Sequence, residues 1–336
     1  MKTCKISRMA AYGDVMHCTH LPRLIKEHYG VDYIEFETSN RGMDILFGNP
    51  YIDKLQEVKV STDTDFLENR WNVGEDQYDM FFNLTHSIEL KYCLFENDHR
   101  YWRTSKYRRE HFGKMNYYDV MTKFCELPDK YLGTRGHLWY PDELHESAKN
   151  WAAKTKKKYD ADWLILVCVS GSSPHKRFQQ VESICNKILK KYPRSLIILT
   201  GDDDCHDLEP KGDRIISKIG EKGWNFRTVA LNAKYCDFVI SPETGLVCVA
   251  HSWDVPTLQL LTAASYDNHI KYAKNAYWVR SPVECSPCHK SPHHYYVCPT
   301  KDNLPACVFF NEDEIMGKVE EAYNERLENW RHGSRR

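Results

Sequence analysis

Twice along the chain, short continuous apolar runs of strand length alternate with amphipathic stretches of helical period, and no other feature constrains the fold as tightly. In the first hundred residues "CKISRM" reads as a short strand and "GDVMHCTHLPRLIKEHYG" as a loop and then a helix stopped by Gly30, while "DYIEFET" and "YDMFFNLT" read as two further strands. Strands that alternate with helices in this way imply a parallel sheet with crossover helices. A second alternation begins with the strand "DWLILVCVS" and runs through the helix "RFQQVESICNKILKKY" to the strands "SLIILTG", "CDFVIS" and "VPTLQLL". Two such blocks of similar size in 336 residues predict an α/β chain of two Rossmann-like, doubly wound domains. Ligands of such sheets bind beyond the carboxyl ends of the strands, so the two binding edges are expected to face each other across a cleft.

The region 86–140 breaks the rhythm, and "ELHESAKNWAAKTKKKYD" after it reads as a long polar-faced helix ending in lysines. The expected domains are therefore 1–155 and 156–310, followed over 311–336 by a C-terminal helix, with Asn311 or Asp313 as its cap, and a basic tail. Charged residues make up 28% of the chain and the formal net charge is −1, which gives no global attraction to nucleic acid or anionic lipid. There is no run of 18 apolar residues, and "MKTCKISRMAAYGD" lacks the apolar core of a signal peptide, so a cytoplasmic protein without a transmembrane segment is expected. Thirteen cysteines, an odd number scattered through strand-like and helix-like segments, do not make a disulfide framework. Cys168, Cys236 and Cys248, in apolar stretches, read as small buried hydrophobes.

The loops "AAYGDVMH", "VSGSSPHKR", "TGDDDC" and "SPETG" should all lie at the carboxyl edges of the sheets. In the last of them Glu243, Thr244 and Gly245 fall between the strand "YCDFVI" and the helix "GLVCVAHSW", where a helix N-terminus offers unpaired N–H groups to an anion. Thr244 could equally cap the helix and Gly245 ease the turn. Farther on, Cys285, Cys288, Cys298 and Cys307 follow a C-x2-C-x9-C-x8-C spacing in the Pro-rich loop 281–310. Four thiolates can close a tetrahedral site, so a structural zinc, or an iron, is expected there. The other possibility is a set of reduced thiols, with His289, His293 and His294 as uncommitted neighbours or substitute ligands.

Four stretches, "GDVMHCTHLPRL", "FGNPYIDKL", "VSGSSPHKRF" and "AKYCDFVISPETGLVCVAHSWDVPTLQLL", together resemble the heptosyltransferases, family nine of the sugar-nucleotide glycosyltransferases. The resemblance spans residues 5–60 and 160–310 in the family's order, departing where the family usually has Asp for Glu243 and His for Cys248. It implies a GT-B fold and inverting transfer of a heptose or related sugar from a nucleotide diphosphate donor, such as ADP-heptose, to an acceptor hydroxyl. Asp14 would be the base that strips that hydroxyl, although a turn or cap aspartate is the plainer alternative. Lys176 can meet a phosphate as a point charge, with Ser170, Gly171, Ser172 and Ser173 supplying hydroxyl and backbone donors, or it can be a solvated surface lysine. Together these groups would offset leaving-group charge, so no catalytic metal is expected. Glu243 would accept a hydrogen bond from a sugar or ribose hydroxyl.

The acceptor, whether glycan, protein or modified nucleic acid, is implied to meet the region 86–140. His86 and Glu89 could form a second polar contact at the cleft, or a simple exposed turn. Arg100, Arg103, Lys106, Arg108 and Arg109, interleaved with Tyr101, Trp102 and Tyr107, could grip an anionic acceptor or form a solvated face. Two other functions suit the same residues: a sugar-nucleotide epimerase or hydrolase, and a nucleic-acid-binding protein whose ancestral active site has decayed.

Overall fold

The apolar run near the N-terminus becomes the first strand of a parallel sheet. In a computed structural model that describes residues 1–9, 11–59, 75–85, 113–288 and 298–331, β1 (Thr3–Arg8), β2 (Tyr33–Thr38), β3 (Lys54–Glu57) and β4 (Met80–Asn83) lie in the order β3-β2-β1-β4. Alternate residues point to opposite faces, so Cys4, Ile6, Ile34 and Phe36 are fully buried on one face while Lys5 pairs with Glu37 at 2.9 Å on the other. The helix Leu21–Tyr29 buries Leu21, Leu24 and Ile25 and stops at Gly30, whose φ of 63° is left-handed. These elements belong to a unit made of Met1–Asp142 together with the distant segment Asp267–Tyr272. That segment is tied in by hydrogen bonds: Asn268 donates to the Met115 carbonyl at 2.9 Å, Tyr272 to Asp119 Oδ2 at 2.6 Å, and Asn116 to the Asp267 carbonyl at 3.1 Å.

The second unit, Glu143–Tyr266 with Ala273–Arg336, is built on six parallel strands: β5 (Trp163–Cys168), β6 (Ser195–Thr200), β7 (Ile215–Ser217), β8 (Phe238–Pro242), β9 (Thr257–Leu261) and β10 (Ala276–Arg280). Their order, β10-β9-β8-β5-β6-β7, is the doubly wound Rossmann order, and its direction reverses between β5 and β8. In the first unit the corresponding reversal lies between β1 and β4.

The expected boundary at 155/156 gives way to one at 142/143, because the helix Asp142–Lys158 packs Ala152 with Leu164, Leu166 and Val239 of the second sheet. The C-terminal helix Glu312–Arg331 is likewise part of this unit, with Ile315, Val319 and Ala322 in one core with Trp163 and Phe238. Asn311 is its cap, accepting from the Asp313 and Glu314 amides at 3.0 and 3.4 Å. Among the described residues no helix is long and apolar enough to cross a membrane.

Candidate functional site

At the reversal in the second sheet, the chain leaves β5 in a run of tight turns. Ser173 N donates to the Gly171 carbonyl at 2.9 Å, Lys176 N to that of Ser173 at 2.9 Å, and Phe178 N returns to that of Val169 at 2.8 Å. Buried Phe178 fastens the loop to the core, and Ser170, Gly171, Ser172 and Lys176 stay at or near the surface. The chain leaves β8 through Ser241 and Thr244 into the helix Gly245–Ser252. Thr244 holds the cap position but does not cap: its hydroxyl is engaged with Ser241 Oγ at 2.8 Å. The first-turn amides of that helix are therefore left without a side-chain acceptor from Thr244.

The two loops touch. A Cβ added to Gly171 would lie 3.0 Å from Thr244 Cγ2 and 3.1 Å from Lys176 Cδ, closer than ordinary packing allows. Glycine at 171 thus brings Lys176 and the helix N-terminus to one place.

Glu243 is held by partners within the protein. Its carboxylate is buried and accepts from Thr262 N at 2.7 Å and Ala264 N at 2.9 Å through Oε1, and from Thr262 Oγ1 at 3.4 Å through Oε2. It pins the exit of β9 to the exit of β8. Burial pushes its pKa up, against the pull of the Lys176 charge and the two backbone amides. His175, beside Lys176, is also buried, with Nε2 3.4 Å from Ser173 Oγ. Burial, with the Lys176 charge adding, pushes the His175 pKa down to about 4.

Cys285, Cys288, Cys298 and Cys307 line a single cavity in this unit. The Cys307 thiol is pushed up to about 12 by burial first, then by the charges that Cys288, Cys298, Glu243 and Cys285 would carry beside it. Four cysteine side chains on one cavity are the donor type that a thiophilic ion takes. His289, His293 and His294 lie outside the described residues.

In the first unit Asp14 stands in the first turn of the helix Tyr12–Met16, just past β1 and next to the sheet reversal. Ala11 holds the cap position, so Asp14 is not the cap. Its Oδ1 lies 3.5 Å from Nη2 of the fully buried Arg8, and its side chain remains 19% exposed. His86, Glu89 and the basic aromatic run from Arg100 to Arg109 lie outside the described residues.

Comparison with solved structures bears on the fold. The family-nine glycosyl transferase of Veillonella parvula DSM 2008 superposes with a TM-score of 0.65 at 14% identity, over 96% of this chain and 97% of that one. The chain shares its fold. ADP-heptose LPS heptosyltransferase II of E. coli superposes at 0.57 with 15% identity over 96% and 99% of the two chains. The iron-containing dodecameric glycosyltransferase TibC of enterotoxigenic E. coli H10407 does so at 0.62 with 12% identity, over 97% of this chain and 78% of that one. No protein-family model matches the sequence, and no curated protein is similar to it by sequence.

In this GT-B fold, the functional neighbourhood holds three residues that the sequence did not single out: Ser241, which turns Thr244 away from capping, and Thr262 and His175, which share the cysteine cavity. Ser241 carried a usable signal, a hydroxyl inside an otherwise apolar strand. His175 and Thr262 carried none, since their roles depend on segments far apart in sequence.

Proposed function

We propose that the chain is an inverting glycosyltransferase that moves a sugar from a nucleotide diphosphate donor to an acceptor hydroxyl. The observation that carries the proposal is the meeting of Gly171, Lys176 and Thr244 at the helix N-terminus that opens at Gly245. Lys176 brings a positive charge, and the first-turn amides and the Ser170–Ser173 loop bring N–H and hydroxyl donors. Such a constellation stabilises a departing diphosphate as its charge develops. The likeness in fold to sugar-transferring enzymes supports it, and TibC is known in complex with ADP-D-β-D-heptose, which makes an ADP-activated heptose the first donor to try.

Asp14 would take the proton from the acceptor hydroxyl, which then displaces the nucleotide in one step with inversion. Arg8 would fix the Asp14 carboxylate from its buried side. Cys285, Cys288, Cys298 and Cys307 would hold a zinc or iron ion whose part is structural, because four protein thiolates leave no open position for substrate. The acceptor, whether glycan, protein or modified nucleic acid, would be met by the region 86–140. A cytoplasmic location is part of the proposal, since the free cysteines buried in the described core, such as Cys4, Cys168, Cys185 and Cys236, suit a reducing compartment.

Calorimetry with ADP, GDP and UDP on the parent and on Lys176→Ala tests the donor site. The parent should bind at least one of them, and the variant should bind it about 1–3 kcal/mol more weakly, the range for a lost charge-assisted hydrogen bond. Equal affinity in a folded variant would remove Lys176 from the site.

A further inference from the structure

None of the four cysteines belongs to the phosphate-facing loops, yet the segment that carries them is built against both. One line of contact runs through His175. This side chain, 7% exposed, lines the cysteine cavity, while its Nε2 faces Ser173 Oγ at 3.4 Å and its chain neighbour is Lys176. The other runs through Ser286, also 7% exposed, which donates to the Thr262 carbonyl at 2.7 Å. Thr262 and Ala264 in turn hold Glu243 by their backbone amides, and the next residue is Thr244 at the mouth of the helix. The cavity thus has walls on the exits of β5 and β9, and the β9 exit is pinned to that of β8.

Among its described residues the cysteine segment carries little regular structure. In the described residues this is a pair of two-residue strands, β11 (Thr300–Lys301) and β12 (Leu304–Pro305), and a short turn at Ala306–Val308. Five prolines occupy 281–310, and among its described residues the buried apolar side chains Val308 and Phe310 stand at its end. An ion bound by four thiolates would supply order that packing does not, and without it the support behind His175 and the Ser286–Thr262 bond would loosen.

We infer that ion occupancy at Cys285, Cys288, Cys298 and Cys307 sets the affinity of the diphosphate site, with His175 and Ser286 as the positioning residues that transmit it. This rests on the donor site and the thiolate ion proposed above. A diphosphate binding to the loosened form must first order the two loops, and that cost is the coupling. Coupling between two equilibria is reciprocal, so a nucleotide should tighten the hold on the ion by the same factor that the ion tightens the hold on the nucleotide.

The test uses the full chain, zinc-loaded or stripped with a chelator under reducing conditions, titrated calorimetrically with ADP, GDP and UDP. Stripping should weaken the best of these by about tenfold, within the usual range of such couplings, and saturating nucleotide should raise by the same factor the chelator concentration that removes half the zinc. The double variant His175→Ala, Ser286→Ala should still take up one equivalent of zinc but bind nucleotide with an affinity that no longer responds to it. A merely structural defect would lower both affinities alike and leave their ratio standing. His175→Gln, neutral and able to meet Ser173 Oγ, should restore much of the response. Equal nucleotide affinity with and without zinc in the parent overturns the inference while leaving the donor site intact. If the loaded parent binds no nucleoside diphosphate, or the chain takes up no ion, the reading beneath falls and the inference falls with it.

Discussion

Asp14 stands in the first turn of a helix with a buried guanidinium at its back, and its replacement separates chemistry from binding most cleanly. Asp14→Asn fills nearly the same space but cannot take a proton, so nucleotide affinity should hold while transfer falls by about a hundredfold or more. Stopped assays of sugar transfer beside calorimetry would check this, and turnover at the parent rate would exclude Asp14 as base. His20 gives a pH prediction. It is buried against Thr122 Oγ1 at 3.0 Å, and burial, with the Arg23 charge adding, pushes its pKa from 6.5 down to about 3. The unfolded chain takes up this proton first, so the contribution is whole above pH 6.5 and drains as pH falls toward 3, at up to about 1.4 kcal/mol per pH unit for one proton. His20→Gln should flatten that decline, which urea titrations at several pH values would show. The polar atoms of the site were legible in the sequence by type: Lys176, Thr244 and Gly245 stand where strand-to-helix turns must fall. The partners of Glu243 were not legible, because the amides that hold it come from residues 262 and 264, across a strand and a helix.

The two loops at the β5/β8 reversal act as one element because they meet over a glycine. Gly171→Ala puts a methyl 3.0 Å from Thr244 Cγ2 and 3.1 Å from Lys176 Cδ, so the Thr244 and Lys176 side chains must give way by a few tenths of an ångström. The core strands beneath are untouched, and the expected result is a fold of nearly parent stability with nucleotide affinity reduced about tenfold, the cost of a modest loss of preorganisation. Parent affinity would mean that the loops do not act together. Among the elements, the long apolar runs of β5, β6, β8 and β9 announced themselves, since a strand buried on both faces must be apolar throughout. The edge strands β7 and β10 passed unnoticed: "IIS" is too short for a period, and "AYWVR" exposes Trp278 and Arg280 on its outer positions. Helix boundaries beside Gly30 and Asn311 were readable because each carries its own stop or cap.

For the whole molecule, the doubly wound order of the second sheet followed from the alternation of strand and helix, whereas the course of the chain between the two units did not. One ion per chain is expected at Cys285, Cys288, Cys298 and Cys307, and elemental analysis of protein purified without chelator checks it. Its removal should raise hydrogen exchange in 281–288 and 298–308 first, while the amides of β5, β6 and β8 keep their protection. Metal far below one equivalent would exclude the site. The segment Asp267–Tyr272 has a consequence for synthesis. Asn268, with no exposed surface, and Tyr272 complete the hydrogen bonding of Met115 and Asp119, so the N-terminal unit lacks part of itself until residues made much later emerge from the ribosome. At roughly 5–20 residues per second that wait is on the order of ten seconds, during which Met1–Asp142 stays incompletely closed and within reach of chaperones.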